Sequence, residues 1–295
     1  MKSEKNILFA FILNLSFSFF EFFGGIFTGS IAIASDAIHD IGDAISIGFS
    51  YFFEKKSKRQ PDEIYTFGYA RYSVLGGLIT SSILLVGSVL IIYKAIYRII
   101  FPAKINYNGM IVFAVVGTVI NLLGAFFTRD KDSLNQRAIN LHLLEDVLGW
   151  VTVLIGAIAI RFTNLTILDP ILSIGVAIFI LVNASKNLKE ILNILLEKAP
   201  QDINPQIIKN HVSQISGVLG VHHIHIWSLD GQKNFATLHV VVSENAYAIK
   251  SSLKNQLKKL GIAHSTIELE TQDERCYEEY CHIEHNSNTY HHHHH

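Results

Sequence analysis

The sequence has no excess of charge of either sign, since 24 Lys and Arg residues stand against 25 Asp and Glu residues. This balance argues against the broad basic surface that nucleic-acid-binding proteins use. Cysteine is nearly absent, and its two occurrences, Cys276 and Cys281, lie near the C-terminal end. The main body of the chain therefore has no disulfide framework, which is compatible with a cytoplasmic tail.

Charged residues are also scarce, at 17% of the chain, against roughly 25% in an average soluble protein. Up to about residue 198, long apolar stretches alternate with short polar joints, whereas from Ala199 onward polar residues occur at ordinary density. We therefore predict a transmembrane domain over 1–198, a cytoplasmic domain over 199–275 and a flexible tail over 276–295. The run of histidines at 291–295 is typical of an expression-tag remnant.

Six apolar stretches in the first part are long enough for a helix that crosses a bilayer, which needs roughly 20 residues. Lys and Arg are concentrated before the first stretch, between the second and third, and between the fourth and fifth. Because such residues favour the cytoplasmic side, we predict a multi-pass protein of the cell membrane with both termini in the cytoplasm. The predicted stretches are 7–28, 31–53, 72–101, 108–128, 138–161 and 167–186.

The second part of the chain alternates between helical and strand patterns. A helix is followed by two strands, an amphipathic helix and a third strand, which predicts a small α+β domain with helices on one face of a sheet. The predicted fold is thus a membrane α-helical bundle of six transmembrane helices plus a cytoplasmic αββαβ domain. Its predicted elements are 203–215, 219–231, 234–243, 249–261 and 264–271.

The second apolar stretch contains SDAIHDIGDA (35–44), in which Asp36, His39, Asp40 and Asp43 interrupt a membrane-like sequence. An ionised aspartate at the centre of a spanning helix costs about 2.5–3.5 kcal/mol, so these side chains must face the bundle interior, water or a cation. Their spacing of i, i+3, i+4 and i+7 places them on one stripe of a helix.

The fifth stretch repeats the H-x-x-x-D pattern of His39 and Asp43 with His142 and Asp146. Side chains at i and i+4 of a helix lie about 5–6 Å apart at their Cβ atoms. Two such pairs on facing helices supply two nitrogens and two oxygens, a set suited to tetrahedral zinc. A lone membrane histidine more often forms a hydrogen bond between helices. Glu145 points off the stripe of its pair and is not predicted as a ligand, and Asp36 and Asp40 are expected to support the ligands.

The sequence resembles the cation diffusion facilitator family, zinc-transporter type, over nearly its whole length. This resemblance implies six transmembrane helices, a metallochaperone-like cytoplasmic domain, a homodimer, and antiport of a divalent metal out of the cytosol against protons. It also implies a transport site at His39, Asp43, His142 and Asp146, a set associated with zinc. The stretches that resemble the family are TGSIAIASDAIHDIGD (28–43), YTFGYARYSVLGG (65–77), HLLED (142–146), VHHIHIWSLDG (221–231) and ATLHVVV (236–242).

The chain departs from the family in the joint between the second and third stretches. Many relatives have a second metal site there, built from an aspartate and two histidines, whereas this chain has Asp62 with Tyr65 and Tyr69. We therefore predict that this second site is absent or crippled. Ser73 stands where a glutamate is common, so the ion pair of that glutamate with Arg71 is expected to be missing.

The cytoplasmic part is rich in side chains that bind metals. By strand alternation, His223 and His225 share one face, whereas His222 shares the other face with Ile224 and Ile226. The resemblance points to His222, His239 and Glu270 as a regulatory metal site at the dimer interface; the alternative is ordinary surface and core histidines. Other side chains that could bind metal are His264, Glu268, Cys276, Cys281, His282 and His285.

The predicted function is export of Zn²⁺ in exchange for protons, with Cd²⁺ or other divalent transition metals as further substrates. Zinc is also the candidate regulatory ion. The alternative is a membrane sensor that binds Zn²⁺ without transporting it. An intramembrane zinc protease would need H-E-x-x-H on a helix, and HLLED (142–146) does not contain this motif, so no enzymatic activity is predicted.

Overall fold

The computed structural model describes residues 2–28, 31–101, 107–129, 133–163, 167–243 and 246–273. The chain divides into two compact units, Met1–Leu196 and Glu197–His295. The first unit consists of the helices α1 (Lys2–Thr28), α2 (Ile31–Ser57), α3 (Arg71–Ile100), α4 (Tyr107–Thr128), α5 (Leu134–Thr163) and α6 (Leu168–Leu195). The second unit contains α7 (Pro205–Ser213), β1 (Val218–Ser228), β2 (Asn234–Val242), α8 (Ala246–Lys259) and β3 (Ile262–Glu270).

Five of the six helices of the first unit are longer than the apolar stretches that predict them, and α3 has the same length as its stretch. The largest difference is at α6, which ends at Leu195 although its apolar stretch ends at residue 186. Lys186, Asn187, Lys189 and Glu190 lower the hydropathy of this last part, but none of them breaks a helix. Among the described residues, Lys5–Phe23 and Arg71–Ile100 are long and apolar enough to cross a membrane, and Val115–Thr128 is a shorter apolar helix.

The first unit has large apolar side chains on its outside and polar side chains in its interior. Phe23, Val86 and Tyr93 are more than half exposed. Such an extended apolar surface indicates contact with lipid or another chain. The buried polar side chains include Asn14, Ser18, Glu21, Ser50, Thr80, Ser81, Asn121, Asn135 and Asn187.

Several buried side chains connect α2, α3, α5 and α6 by hydrogen bonds between helices. The Ser50 and Thr80 hydroxyls lie 2.6 Å apart, and Asn135 Nδ2 donates to the Ser50 carbonyl at 2.8 Å. Asn187 Nδ2 donates to Ser81 Oγ at 2.8 Å. We call Ser50, Thr80, Ser81, Asn135 and Asn187 the polar contact layer. It lies toward the end of α2 and the starts of α3 and α5, where it holds the four helices together.

Glu54, one turn after Ser50 on α2, is buried and extends these contacts. Its Oε2 accepts hydrogen bonds from Ser73 Oγ at 2.7 Å and from Ser133 Oγ at 3.2 Å. Its Oε1 lies 3.5 Å from Lys58 Nζ. A carboxylate is therefore present beside position 73, but it belongs to Glu54 of α2 and not to residue 73 itself. The role of Glu54 was not predicted from the sequence.

Gly76 allows close contact between α3 and α5, and we expect Gly76→Ala to loosen it. A Cβ at this position would lie 2.7 Å from Asn135 Oδ1 and 2.9 Å from Asn135 Cγ. The methyl group would push the amide away from Ser50, and a buried amide that loses its bond costs about 1–3 kcal/mol. We expect a lower midpoint of thermal unfolding for the purified protein in detergent.

Gly175→Ala on α6 is the matched control, because no heavy atom lies within 4 Å of its added Cβ. Equal unfolding midpoints for the two variants would show that the Asn135 contact does not stabilise the bundle.

The second unit is a three-stranded sheet in the order β1-β2-β3. β2 pairs antiparallel with β1 and parallel with β3, and α8 makes the crossover between the two parallel strands. The order αββαβ agrees with the predicted order. Both helices pack on one face of the sheet and form a core with alternate residues of β2: Ile208, Val212, Leu253, Leu257, Ala236, Leu238 and Val240.

The predicted face of His222 is wrong, because β1 contains a bulge. The register with β2 shifts between His222 and His225, and His223 has a positive φ of 46°. One extra residue on β1 reverses the faces that regular alternation assigns. Ile224 and Ile226 pack with the core, so His222 does not share their face. It lies with His223 and His225 on the opposite face.

Candidate metal centres

Asp43 of α2 and His142 and Asp146 of α5 converge inside the first unit. One potential ligand atom from each lies within 4.8 Å of the others, and His142 Nε2 is 3.7 Å from Asp43 Oδ2. Ligand atoms of a tetrahedral zinc site are about 3.3 Å apart, given zinc–ligand bonds near 2.0–2.1 Å. A small movement of these side chains would therefore suffice to bind one ion.

The burial of this group favours a cation. Asp43 is 8% exposed and His142 is 4% exposed. Two carboxylates held so close together repel each other unless a proton or a cation lies between them. His39 lies one helical turn before Asp43, but its side chain lies outside the described residues, as does that of Asp36. The role of His39 as a fourth ligand stays a prediction.

A cavity of about 380 Å³ adjoins the three side chains. Along α3 it is lined from Ile83 to Arg98, which corresponds to about 22 Å at 1.5 Å per residue. The lining includes Glu145, which the sequence reading excluded because it lies off the stripe of His142 and Asp146. A wide cavity contacts more than one stripe of a helix. The charged and imidazole side chains of its lining are Asp40, Asp43, Lys94, Arg98, His142, Glu145 and Asp146.

The cavity has a direction within the bundle. Its lining comes from the first half of α2, the second half of α3, the middle of α5 and Pro170 near the start of α6. In an antiparallel succession of helices, these ends lie on the side opposite the start of α1. Lys94 and Arg98 are exposed, so the cavity reaches the surface there. The polar contact layer lies on the other side of Asp43 and His142.

The loop between α2 and α3 is organised around Asp62. Its Oδ2 accepts a hydrogen bond from the Tyr69 hydroxyl at 2.5 Å, and its Oδ1 accepts from the Ile64 and Tyr65 amides at 3.0 and 2.7 Å. The Tyr69 bond is the main cause that holds the pKa of the Asp62 carboxyl below its usual value of 3.8. The same bond raises the pKa of Tyr69 above 10.0. The absence of a metal at Asp62, Tyr65 and Tyr69 stays a prediction.

We expect Tyr69→Phe to open this loop at neutral pH. The lowered pKa means that the bond stabilises the loop above pH 3.8 and that this contribution is lost as the pH falls through the lowered value. Trypsin should therefore cleave after the exposed Arg59 severalfold faster in the variant at pH 7.5.

Tyr65→Phe is the matched control, because the Tyr65 hydroxyl lies 3.3 Å from that of Tyr72 and its side chain does not bond Asp62. Equal cleavage rates for wild type and Tyr69→Phe would show that the Asp62 bond does not hold the loop.

The second unit has its own group of ligands, His222, His239 and Glu270. One atom from each lies within 4.8 Å of the others. His239 Nδ1 is 2.6 Å from Glu270 Oε1, and His222 Nε2 is 3.3 Å from Glu270 Oε2. Glu268 approaches His239 Nε2 at 3.4 Å. His222 and Glu270 are buried, whereas His239 is partly exposed, so the group lies at the edge of the surface rather than fully in water.

The bulge brings further imidazoles to this group. The ring of His223 lies 4.9 Å from that of His239 and 6.4 Å from that of His225. His264 instead lies beside Phe235, with ring centroids 5.4 Å apart and the rings tilted, and takes no part in the group. Cys276, Cys281, His282 and His285 lie outside the described residues.

Comparison with known proteins gives two family matches that together span most of the chain. Residues 7–196 match the cation efflux transmembrane domain. Residues 200–272 match ZT_dimer, the cytoplasmic domain of cation efflux proteins.

Individual relatives align over most of their length. The chain is 34% identical to the zinc transporter ZitB of Escherichia coli K12, over 95% of this chain and 91% of the relative. It is 32% identical to the cadmium, cobalt and zinc/H(+)-K(+) antiporter of Bacillus subtilis 168, over 92% and 90%. It is also 32% identical to the metal cation efflux system protein CzcD of Cupriavidus metallidurans CH34, over 91% and 87%.

Proposed function

Because this chain belongs to the cation diffusion facilitator family, zinc-transporter type, we propose that it exports Zn²⁺ from the cytosol in exchange for protons. The family is one of integral membrane transporters rather than enzymes. The observation that carries the proposal is the convergence of Asp43, His142 and Asp146 from two helices beside a cavity. In this proposal all six helices of the first unit cross the cell membrane and both termini are cytoplasmic.

The exchange follows from the chemistry of the ligands. Carboxylates and imidazoles bind zinc only when deprotonated, so protons and metal compete for Asp43, His142 and Asp146. Metal enters the site from the cytosol, and protons displace it on the far side. The cavity described above faces away from the start of α1, which makes this conformation the one that releases metal. Loading from the cytosol requires α2 and α5 to separate from α3 and α6 at the polar contact layer.

Zinc is the substrate that best fits the donor atoms. Nitrogen and carboxylate oxygen in a four-ligand set suit zinc, whereas calcium and magnesium prefer shells of oxygen alone. Cadmium and other divalent transition metals with similar ligand preferences are further substrates, in keeping with the names of the relatives. Selection among these metals must come from geometry, since intrinsic affinity alone does not favour zinc.

The second unit is proposed to regulate transport and to join two chains. Its group of His222, His239 and Glu270, of which the first and last are buried, is suited to a regulatory zinc ion, and the ZT_dimer match supports a homodimer. We propose the domain limits 1–198 for the transmembrane domain and 199–275 for the cytoplasmic domain, with 276–295 as a tail.

The test is zinc uptake into proteoliposomes with an imposed pH gradient. We expect zinc to move against the proton flow, and reversal of the gradient to reverse the direction of zinc movement. Control liposomes without protein give the rate at which zinc leaks across the membrane. Tight zinc binding with no flux under either gradient would refute transport and leave the membrane-sensor alternative.

A further inference from the structure

The cavity that adjoins Asp43 and His142 contains basic side chains as well as ligands. Among its described lining residues, four carboxylates stand beside Lys94 and Arg98 of α3. With neutral imidazole the formal charge of this lining is −2, which one divalent cation would neutralise. Without the two basic side chains the charge would be −4. The carboxylates are Asp40, Asp43, Glu145 and Asp146.

Lys94 and Arg98 line the part of the cavity near the end of α3. They lie one turn apart in the last two turns of α3, and both are exposed. Leu84, near the other end of the lining, lies 14 residues from Arg98, or about 21 Å along the helix. The two positive charges therefore lie where the cavity reaches the surface, between the ligands and the far side.

We propose that Lys94 and Arg98 are fixed counter-charges that weaken the binding of divalent metal in this cavity and thereby speed its release. This proposal rests on the proposed transport function. A positive charge in the wall repels a divalent ion at the ligands and also opposes its return from outside. Each charge should weaken binding roughly fivefold to tenfold, for separations on the order of 10 Å in a cavity that contains water.

The experiment is a zinc titration of the full-length protein in nanodiscs, combined with flux in proteoliposomes. The binding that Asp43→Ala removes defines the component that belongs to this cavity. We expect the double variant Lys94→Gln, Arg98→Gln to raise the zinc affinity of this component at least tenfold. Turnover and the apparent KM should both fall, because release becomes slower. A merely structural role would weaken binding or leave it unchanged.

Two variants separate charge from other effects. Lys94→Arg alone keeps the positive charge, so this variant should bind zinc with the wild-type affinity. Lys55→Gln on α2 removes a positive charge that does not line the cavity, and it should bind zinc as the wild type does.

The contrary outcomes are distinguishable. Unchanged or weaker zinc binding in the double variant, with Asp43-dependent flux intact in the wild type, would overturn the counter-charge proposal alone. If the Asp43→Ala variant binds and transports zinc as the wild type does, the site assignment fails, and the counter-charge proposal fails with it.

Discussion

Asp43→Asn should abolish zinc flux, whereas Asp40→Asn should weaken zinc binding but leave measurable flux. Asp43 lies within 4.8 Å of ligand atoms of His142 and Asp146, and it is 8% exposed. Replacing the carboxylate removes a charged ligand from a buried site and should lower zinc affinity by about 100-fold or more, since even residues that only support ligands change affinity by 10–100-fold. Flux in proteoliposomes and equilibrium zinc binding measure both effects. His142→Ala should behave as Asp43→Asn does.

Asp40 is a matched control because it lies three residues before Asp43 on the same helix and lines the same cavity, but does not belong to the converging group. Its substitution changes the charge of the cavity without removing one of these three ligands. All variants should remain folded and membrane-inserted, which size-exclusion chromatography in detergent will check. Equal flux in Asp43→Asn and wild type would exclude this site from transport.

The pairing of α2 with α5 at the site was predictable because it depends on local spacing. The H-x-x-x-D pattern around Asp43 and that around Asp146 each place two side chains on one stripe of a helix. Burying several such groups in an apolar sequence is costly, so the two stripes were expected to face each other. The structure brings Asp43, His142 and Asp146 together, while the side chain of His39 lies outside the described residues.

The contribution of α3 was not predictable in the same way. Lys94 and Arg98 read as ordinary positive residues near the end of an apolar stretch. Their position in the lining depends on how α3 is rotated against α2 and α5, and an outer surface that is itself apolar gives little periodicity from which to derive this rotation. The same holds for Glu54, whose bonds to Ser73 and Ser133 join separate parts of the chain.

The histidines of β1 show a different limit of sequence reasoning. Alternation assumes a regular pleat, and one extra residue reverses the face of everything beyond it. The bulge at His223 requires a positive φ at a residue that is not glycine, and VHHIHIW (221–227) contains no glycine that would mark its position. The order of strands and helices was predictable, since hydrophobic periodicity survives such a local change.

In the cytoplasmic unit, replacing His222 and His239 together with alanine should remove a large stabilisation by zinc. In the wild type, zinc at 100 times its dissociation constant should stabilise the folded unit by about 2.7 kcal/mol, which slows global amide exchange about 100-fold. The double variant should show no such slowing in β1, β2 and β3. Hydrogen–deuterium exchange of the full chain with and without zinc measures this protection strand by strand.

His264→Ala is the control for that measurement, because His264 pairs with Phe235 near the start of β3, whereas Glu270 lies at its end. This variant should keep the full protection by zinc.

Retention of the protection in the double variant would mean that zinc stabilises the unit through other ligands, such as His223 or the histidines beyond residue 273, and would refute the assignment of His222 and His239. Loss of protection with unchanged zinc flux would assign this site to stability or dimer formation, and a change in flux would assign it to regulation. Exchange and flux measured on the same variants therefore separate metal binding in this unit from control of transport.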